Sequence, residues 1–310
     1  MMKMERIKGG LSQYNTVLIF VLMLIVSGLI TENFFTANNI SNLIRQSAPI
    51  GLVSMGMLLV ILTGGIDLSV GSVVAMIGVT FSLLSYVVYF PAAFLLSLLI
   101  GCGIGCLSGY LVAYRKIASF IVTLALMSMV RGGGYLLSKG APISVGPYSA
   151  KILTLGTGSL LGVPVAAIVL MGVFMVLFVL LRYNIFGRLI LAIGSNEEAV
   201  RLSGVAVKRT KFAVYVICAA LTALAALLMV GRTGVGTPNI GVGLELDAIA
   251  AVVIGGAALA GGKGSVLNTL LGVFILSMIG NVMNLLDITS YLQQIIKGVI
   301  IIAAVLFQRN

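Results

Sequence analysis

The feature that most constrains this chain is a series of ten long apolar stretches separated by short polar segments. A helix needs roughly 20 apolar residues to cross a bilayer core, and about 17 to 25 are tolerated. The stretches therefore predict ten membrane-spanning helices, of which the second and the eighth are short. Their bounds are 14–30, 48–63, 68–90, 91–114, 117–138, 162–181, 212–231, 247–260, 265–286 and 291–307.

The composition agrees with a chain that faces lipid. Hydrophobic residues make up 60% of the 310 residues and charged residues only 9%, whereas about a quarter of a soluble domain is charged. We therefore predict an all-α integral membrane protein. It forms a single transmembrane domain over residues 1–310, with short or broken helices and Gly-rich turns.

The positions of the basic residues predict the orientation. With ten helices and a cytoplasmic N-terminal segment, residues 1–13, most of the 19 Lys and Arg lie in cytoplasmic segments. The outer loops hold Arg45, Lys139, Lys151 and Arg232. The positive-inside rule expects this asymmetry, so both termini are predicted to be cytoplasmic. Residues 31–35 lack a small-x-small cleavage site, so the first span is read as a retained helix.

The sequence excludes several kinds of chemistry. It has no His, which rules out a Ser-His-Asp triad and a His-ligated metal. The nearest match to a Walker A loop surrounds Gly262 and Lys263. It fails because Ala257 replaces the first Gly and Gly264 replaces the Ser or Thr. We infer a chain that is not an enzyme, does not hydrolyse ATP and needs no cofactor or metal of its own. The basic residues behind the net charge of +11 are scattered, so no nucleic-acid partner is predicted.

Glycine follows two patterns. Gly101, Gly105 and Gly109 recur every four residues along the fourth span, which predicts close helix packing. Two Gly-rich turns, 64–72 and 255–265, each join a short helix to a longer one. The similarity of the two turns indicates either an internal repeat of the kind found in many transporters or a coincidence.

A short helix is predicted in the longest polar segment on the cytoplasmic side. Ser195 and Glu198 have the spacing of a capping box. Glu197 precedes Arg201 by four residues, the favourable orientation for an ion pair. Gly204 is placed as the C-terminal cap. The pattern indicates two helical turns lying outside the membrane.

A helix this short is not stable alone in water, so something must pack against it. One partner is the inner surface of the chain itself, and the other is a cytoplasmic motor that docks on this segment. We favour the motor. The candidate docking residues, all within the loop 182–211, are Gly194, Ser195, Asn196, Glu197, Glu198, Ala199, Arg201, Leu202 and Gly204.

Polar residues in or near the spans are candidates for a translocation path or for structural hydrogen bonds. Arg131, well inside the fifth span, is expected to snorkel, to pair with a carboxylate or to contact a substrate. Asp247 is expected to cap the eighth helix. The amides near the outer ends of spans nine and ten bond either a substrate or one another. The full set is Asp67, Ser69, Arg131, Glu245, Asp247, Asn281, Asn284, Gln293, Gln294 and Lys297.

Three stretches together resemble the permease subunits of monosaccharide ABC importers, above all the ribose permease group. They read TGGIDLSVGS at 63–72, AIGSNEEAVRLSG at 192–204, and ELDAIAAVVIGG continuing to LAGG at 245–262. The resemblance runs from about residue 33 to the C-terminus. It implies a bacterial cytoplasmic-membrane protein that works as a homodimer. It also implies an ATPase subunit that binds ATP and Mg²⁺, and an extracytoplasmic sugar-binding protein. The segment 195–204 matches the loop that such permeases present to the ATPase.

The expected mechanism is alternating access, with no chemistry in this chain. A different cargo, such as another sugar, a nucleoside or a branched-chain amino acid, would keep the same architecture. An ion-coupled secondary transporter is the main rival class. Such proteins place carboxylates at mid-helix for coupling, and none is found there.

Overall fold

The structure is a computed structural model that describes the backbone of residues 2–308 and the side chains of residues 15–300, 302 and 303. Helices dominate this part of the chain. They are α1 (Met2–Ile30), α2 (Ala37–Leu62), α3 (Val70–Leu84), α4 (Phe90–Ala113), α5 (Ser119–Ser138), α6 (Ile152–Thr157), α7 (Val165–Tyr183), α8 (Ile185–Ser195), α9 (Glu197–Leu202), α10 (Val207–Thr233), α11 (Leu244–Ile254), α12 (Val266–Leu285) and α13 (Ser290–Gln308).

Four two-residue strands lie between these helices, and the all-α prediction did not include them. They are β1 (Ile143–Ser144), β2 (Ser159–Leu160), β3 (Val163–Pro164) and β4 (Val235–Gly236). Strand β1 pairs antiparallel with β4, and β2 with β3. The first pairing ties the loop after α5 to the segment after α10, so these two connections lie side by side at one end of the bundle.

The predicted helical membrane architecture is confirmed at the level of the fold class. Each of the ten predicted spans corresponds to a different helix, although the third also includes Phe90, the first residue of α4. Within the described residues, six helices are long and apolar enough to cross a membrane, namely α2, α4, α5, α7, α10 and α12. Helices α3 and α11, with 15 and 11 residues, are shorter than the roughly 20 residues that a bilayer core requires.

The prediction of a short second helix is wrong, because α2 begins at Ala37 and runs for 26 residues. The Thr36 side chain caps it by accepting a hydrogen bond from the Asn39 backbone N–H. The Asn39 and Asn281 side chains then bond each other through both amides, at 2.9 and 2.8 Å. These bonds satisfy the Asn39 amide, which lies before the apolar run. The helix can therefore extend toward its N-terminus without leaving this polar side chain unpaired.

The eighth predicted span also has different bounds. Helix α11 starts at Leu244 and ends at Ile254, six residues before the predicted end at residue 260. It stops because two glycines follow, and Gly256 has a φ of +79° that terminates the α-helix. The chain then forms the Gly-rich turn that leads into α12.

The bundle is organised around α2 and α10, which lie at its centre. Every residue of α2 from Gly51 to Leu62 is buried. The glycine stripe of α4 makes the predicted close helix packing, and its partner is α10. A Cβ atom on Gly101 would lie 2.6 Å from the Ala223 Cβ, and one on Gly105 would lie 2.6 Å from the Ala219 Cβ. The stripe therefore allows the two helix backbones to approach closely.

Replacing Gly105 with Ala should destabilise this packing. The new Cβ would also lie 2.9 Å from the Tyr215 carbonyl oxygen, a backbone atom that cannot rotate away. Overpacking of this kind costs about 1–3 kcal/mol. We expect a lower thermal unfolding midpoint for the detergent-solubilised variant. Gly103→Ala is the matched control on the same helix, because a Cβ there meets nothing within 4 Å. Equal midpoints for the two variants would contradict the packing role.

Candidate functional site

The three stretches that carry the resemblance meet at one end of the bundle, here called the α9 end. The backbone N–H of Gly262 donates to the carbonyl oxygen of Leu62 at 3.0 Å. Gly194 lies against both groups, since a Cβ on it would be 1.9 Å from the Leu62 oxygen and 2.3 Å from the Gly262 nitrogen. A Cβ on Gly261 would lie 2.9 Å from the Gly64 nitrogen. The two Gly-rich turns and the end of α8 therefore form one packed junction.

The capping of the short helix differs from the prediction. Ser195 is not the N-terminal cap, because it is the last residue of α8. Asn196 caps α9 instead, and its side-chain oxygen accepts from the Ala199 N–H at 2.9 Å. The single residue between α8 and α9 leaves no room for a separate capping box. The helix stops beside Gly204, as predicted, but its C-terminal cap is Ser203, and Gly204 follows the cap with a φ of +82°.

The ion pairs of α9 also differ from the prediction. Glu197 does not pair with Arg201. Its carboxylate instead accepts from the Lys211 Nζ of α10 at 2.8 Å. Glu198 pairs with Arg201, one turn away, with a distance of 3.0 Å from the Arg201 Nε. The hydrogen bonds from Arg201 hold the pKa of the Glu198 carboxyl below its usual value.

Helix α9 leaves two of its three apolar residues, Ala199 and Leu202, exposed within the described chain. None of its residues is buried. Ala199 is exposed, and Leu202 is 75% exposed. Beside the helix lies an open cleft of 1070 Å³, whose lining includes Lys116, Lys208 and Arg209. The α9 end thus presents a short helix, an exposed leucine and a basic cleft on one surface.

Asp67 and Ser69 have a local structural role near the same end. Asp67 is buried, and its Oδ1 atom accepts from both the backbone N–H of Ser69 at 2.9 Å and the Ser69 hydroxyl at 2.6 Å. These two bonds fix the turn from which α3 starts. The neighbouring Ile66 contacts the first turn of α5, because its N–H donates to the Ser119 hydroxyl at 3.3 Å.

A second polar site lies deeper in the bundle, around Arg131. The guanidinium donates from Nη1 to the carbonyl oxygens of Pro238 and Ile240, at 2.8 and 3.1 Å. Its Nε donates to the Ser72 hydroxyl at 3.2 Å. Among the described residues Arg131 forms no ion pair, so of the three predicted alternatives the carboxylate pair is not formed. The side chain joins α3, α5 and the non-helical segment 235–243.

The segment 235–243 descends into the bundle from the end opposite α9. Its first residues, in β4, pair with β1, and Gly241 reaches the first turn of α3, where a Cβ on Gly71 would be 2.2 Å from its carbonyl oxygen. Glu245 lies at the same place, and its Oε2 atom is buried with no hydrogen-bond partner. Helix α11 then returns toward the α9 end. Helices α3 and α11 therefore start next to each other inside the bundle.

Two residues of this site are absent from the sequence-based candidates. The Tyr135 hydroxyl, one turn along α5 from Arg131, donates to the Asn239 side-chain oxygen at 2.6 Å. Both residues are exposed. Asn239 follows a Pro in a polar stretch that reads as an ordinary outer loop, and only the spacing of Arg131 and Tyr135 on one helix face could have indicated that this loop folds inward.

The expected cap at Asp247 is wrong. Gly243 is the N-terminal cap of α11 and makes no side-chain capping bond. The Asp247 carboxylate instead pairs with the Lys297 Nζ at 2.8 Å, because α13 crosses beside the first turns of α11. The charge on α11 and the charge on α13 therefore neutralise each other. Among the described residues, no group of three or more His, Cys, Asp or Glu is placed to hold a metal ion.

The four amides at the ends of α12 and α13 do not form one cluster. Asn281 is buried and pairs with Asn39 of α2. Gln293 donates to the Asn284 side chain and to the Ile288 carbonyl, both at 2.8 Å. Gln294 is exposed. Three of the four thus take part in bonds within the protein, and Gln294 remains open to a partner or substrate.

Comparison with known proteins agrees with this architecture. The family described as branched-chain amino acid transport system / permease component matches residues 39–305. The chain is 42% identical over 299 residues to the ribose import permease protein RbsC of Escherichia coli K12, covering 96% of this chain and 93% of that protein. It is 41% identical over 296 residues to RbsC of Bacillus subtilis 168, covering 94% and 91%. It is 36% identical over 305 residues to the L-arabinose transport system permease protein AraH of E. coli K12, covering 96% and 90%. No solved structure matches the chain.

The membrane-length apolar helices and these matches define a multi-pass membrane protein. The chain belongs to the branched-chain amino acid transport system permease family.

Proposed function

We propose that this chain is the membrane-spanning permease subunit of an ABC importer that carries a monosaccharide, ribose first, into the cytoplasm. What supports this most is its identity with ribose import permeases over nearly the full length of both chains. The lower identity with an arabinose permease makes another pentose the next candidate. The family description leaves branched-chain amino acids as a cargo of the same architecture, and nucleosides are a further alternative.

We place the α9 end in the cytoplasm and the protein in the bacterial cytoplasmic membrane. The domain spans residues 1–310 and crosses the bilayer ten times, with both termini inside. The basic residues support this orientation, because Lys116, Lys208, Arg209 and Lys211 gather at the cleft beside α9. Helices α3 and α11 complete their crossings through the adjoining non-helical segments.

In this proposal the chain is not an enzyme and transmits motion from a partner. A cytoplasmic ATPase subunit binds ATP and Mg²⁺ and docks on α9 and the basic cleft, and no other cofactor is needed. Exposed Leu202 and the uncovered face of α9 support a protein partner there. The junction at Gly194 links α9 to the turns after α2 and α11, which gives ATPase movement a rigid route into the bundle.

A second copy of the permease completes the path. Non-helical backbone at membrane depth is tolerated only where it is buried in protein or lines a water-filled cavity. The segment 235–243 and the first turn of α11 expose Asn239, Val242 and Leu246. We therefore place this surface toward the partner copy, with the sugar path between the two. The extracytoplasmic sugar-binding protein delivers its cargo at the end opposite α9.

Sugar uptake into proteoliposomes tests the proposal. The vesicles hold this chain with the ATPase, the binding protein is added outside, and the panel contains pentoses, hexoses, nucleosides and branched-chain amino acids. We expect ATP-dependent uptake of ribose that requires all three components. Uptake of nucleosides or amino acids alone would change the assigned cargo but leave the ABC importer assignment in place. Uptake by this chain alone, without ATP but with an ion gradient, would overturn the ABC assignment.

A further inference from the structure

Asn239 occupies an unusual position for a polar side chain. It lies on the segment 235–243, which folds between α3 and α5, and it is exposed rather than packed. Its oxygen already accepts from the Tyr135 hydroxyl. The two N–H donors of its amide have no hydrogen-bond partner among the described residues. An amide with free donors inside a membrane protein is costly unless it faces water or a polar ligand.

The surroundings hold this amide in one orientation. Arg131 bonds the carbonyl oxygens of Pro238 and Ile240, the residues on either side of Asn239. The backbone N–H of Asn239 donates to the Thr237 hydroxyl at 3.3 Å. Because the backbone is fixed on both sides and the side-chain oxygen is fixed by Tyr135, this exposed side chain holds its free N–H donors in one orientation. A donor that is held in place and has no acceptor within its own protein has the geometry of a ligand contact.

The depth of the site suits a position near the external mouth. Tyr135 is one turn from the end of α5 at Ser138, and Arg131 is about 18 Å from the start of the helix at 1.5 Å per residue. Arg131 and Tyr135 are four residues apart and therefore share one face. The pair and Asn239 thus lie in the half of the bundle opposite α9, where a sugar enters in the proposed orientation.

We propose that the Asn239 amide donates to sugar hydroxyls at the mouth of the path, and that Arg131 and Tyr135 are the residues that position it. This inference rests on the proposed function, because it requires a hydroxyl-bearing cargo to pass this face. Arg131 acts through Asn239, because its Nη1 bonds the carbonyl oxygens on either side of that residue while its Nε is held by the Ser72 hydroxyl.

The test measures ribose uptake and ATP hydrolysis together in the complete reconstituted transporter. We expect Asn239→Ala to lower the number of ribose molecules imported per ATP about tenfold, since one lost hydrogen bond in the transport transition state has about that effect. Asn239→Asp should lower it equally, because the carboxylate keeps the acceptor for Tyr135 and removes both donors. A wild-type ratio in both variants would overturn the proposal.

The positioning role has its own readout. Arg131→Lys keeps the charge but loses the planar guanidinium, whose Nη1 reaches both carbonyls while its Nε bonds Ser72, so we expect the same fall in ribose per ATP. Adding Asn239→Ala to Arg131→Lys should then cause no further loss, whereas two independent roles would multiply. Arg232→Lys, at the end of α10, is the control and should keep the wild-type ratio. Multiplying effects, or an equal fall in ribose uptake and ATP hydrolysis in the Arg131 variant, would overturn the positioning role.

Two results separate this inference from the proposed function. Wild-type protein that imports no sugar with its partners would disprove the function itself. Wild-type protein that imports ribose, beside Asn239 variants that import it equally well, would disprove only the inference. Reaction of Asn239→Cys with a membrane-impermeant thiol reagent gives a second measurement that does not depend on transport. We expect it to react at least about tenfold faster than Val176→Cys on α7, which is 63% exposed on an apolar face. Equal rates would contradict a water-lined site.

Discussion

Reversing both acidic charges of α9, with Glu197→Lys and Glu198→Lys, is expected to abolish sugar uptake while the folded permease stays in the membrane. The two ion pairs that would be lost lie at the surface, with glutamate side chains 52% and 63% exposed. Exposed pairs contribute little to stability, so the bundle should remain folded. An interface is different, because like charges brought together there cost several kcal/mol. We expect ATP-driven uptake to fall at least about 100-fold, measured in proteoliposomes.

A charge swap separates docking from local folding. Glu198→Lys combined with Arg201→Glu restores an ion pair of the same spacing within α9. If α9 needs only its internal pair, the swapped variant should transport like the wild type. If a partner contacts these surface charges, sugar uptake by the swapped variant should stay low. Co-purification of the ATPase with that variant should also fall. Normal transport by the double lysine variant would show that α9 is not the docking site.

The sequence was sufficient for features that depend on neighbours along the chain. Apolar length predicted the helices, and the four-residue spacing of Gly101, Gly105 and Gly109 predicted close helix packing without identifying α10 as the partner. That α9 stops just before Gly204 followed from the same kind of local rule. These patterns are repeated every helical turn, so one chain segment carries all the information that they need.

Predictions that depended on distant partners failed. Glu197 bonds Lys211 of α10, and the choice between Lys211 and Arg201 is made by how α9 lies on α10. Asn39 and Asn281 are 242 positions apart, so the pair that lengthens α2 has no local signal. A carboxylate pair was one of three alternatives for Arg131, and the structure gives it three neutral acceptors instead. Backbone carbonyls carry no residue identity, and a sequence cannot show that they converge on a side chain.

Gly194→Ala is expected to disable the transporter by breaking the junction at the α9 end. The new Cβ would overlap the backbone of Leu62 and Gly262, and neither group has a rotamer by which to move aside. Overpacking commonly costs about 1–3 kcal/mol and more where backbone must shift, so we expect at least about 3 kcal/mol here. Helix propensity alone predicts the opposite sign, because Gly194 lies within α8, where Ala is favoured over Gly by about 0.5–1 kcal/mol.

The matched control is Gly172→Ala in α7, where a Cβ meets nothing within 4 Å and the same propensity gain applies. The thermal unfolding midpoint in detergent and ATP-driven uptake should both fall for Gly194→Ala and hold for Gly172→Ala. A normal midpoint with lost uptake would show that the junction carries motion rather than stability, since α9 would still fold but no longer drive α2 and the turn after α11. Normal values for both would mean that the three stretches that carry the resemblance touch here without depending on one another, and that force from the ATPase enters the bundle elsewhere.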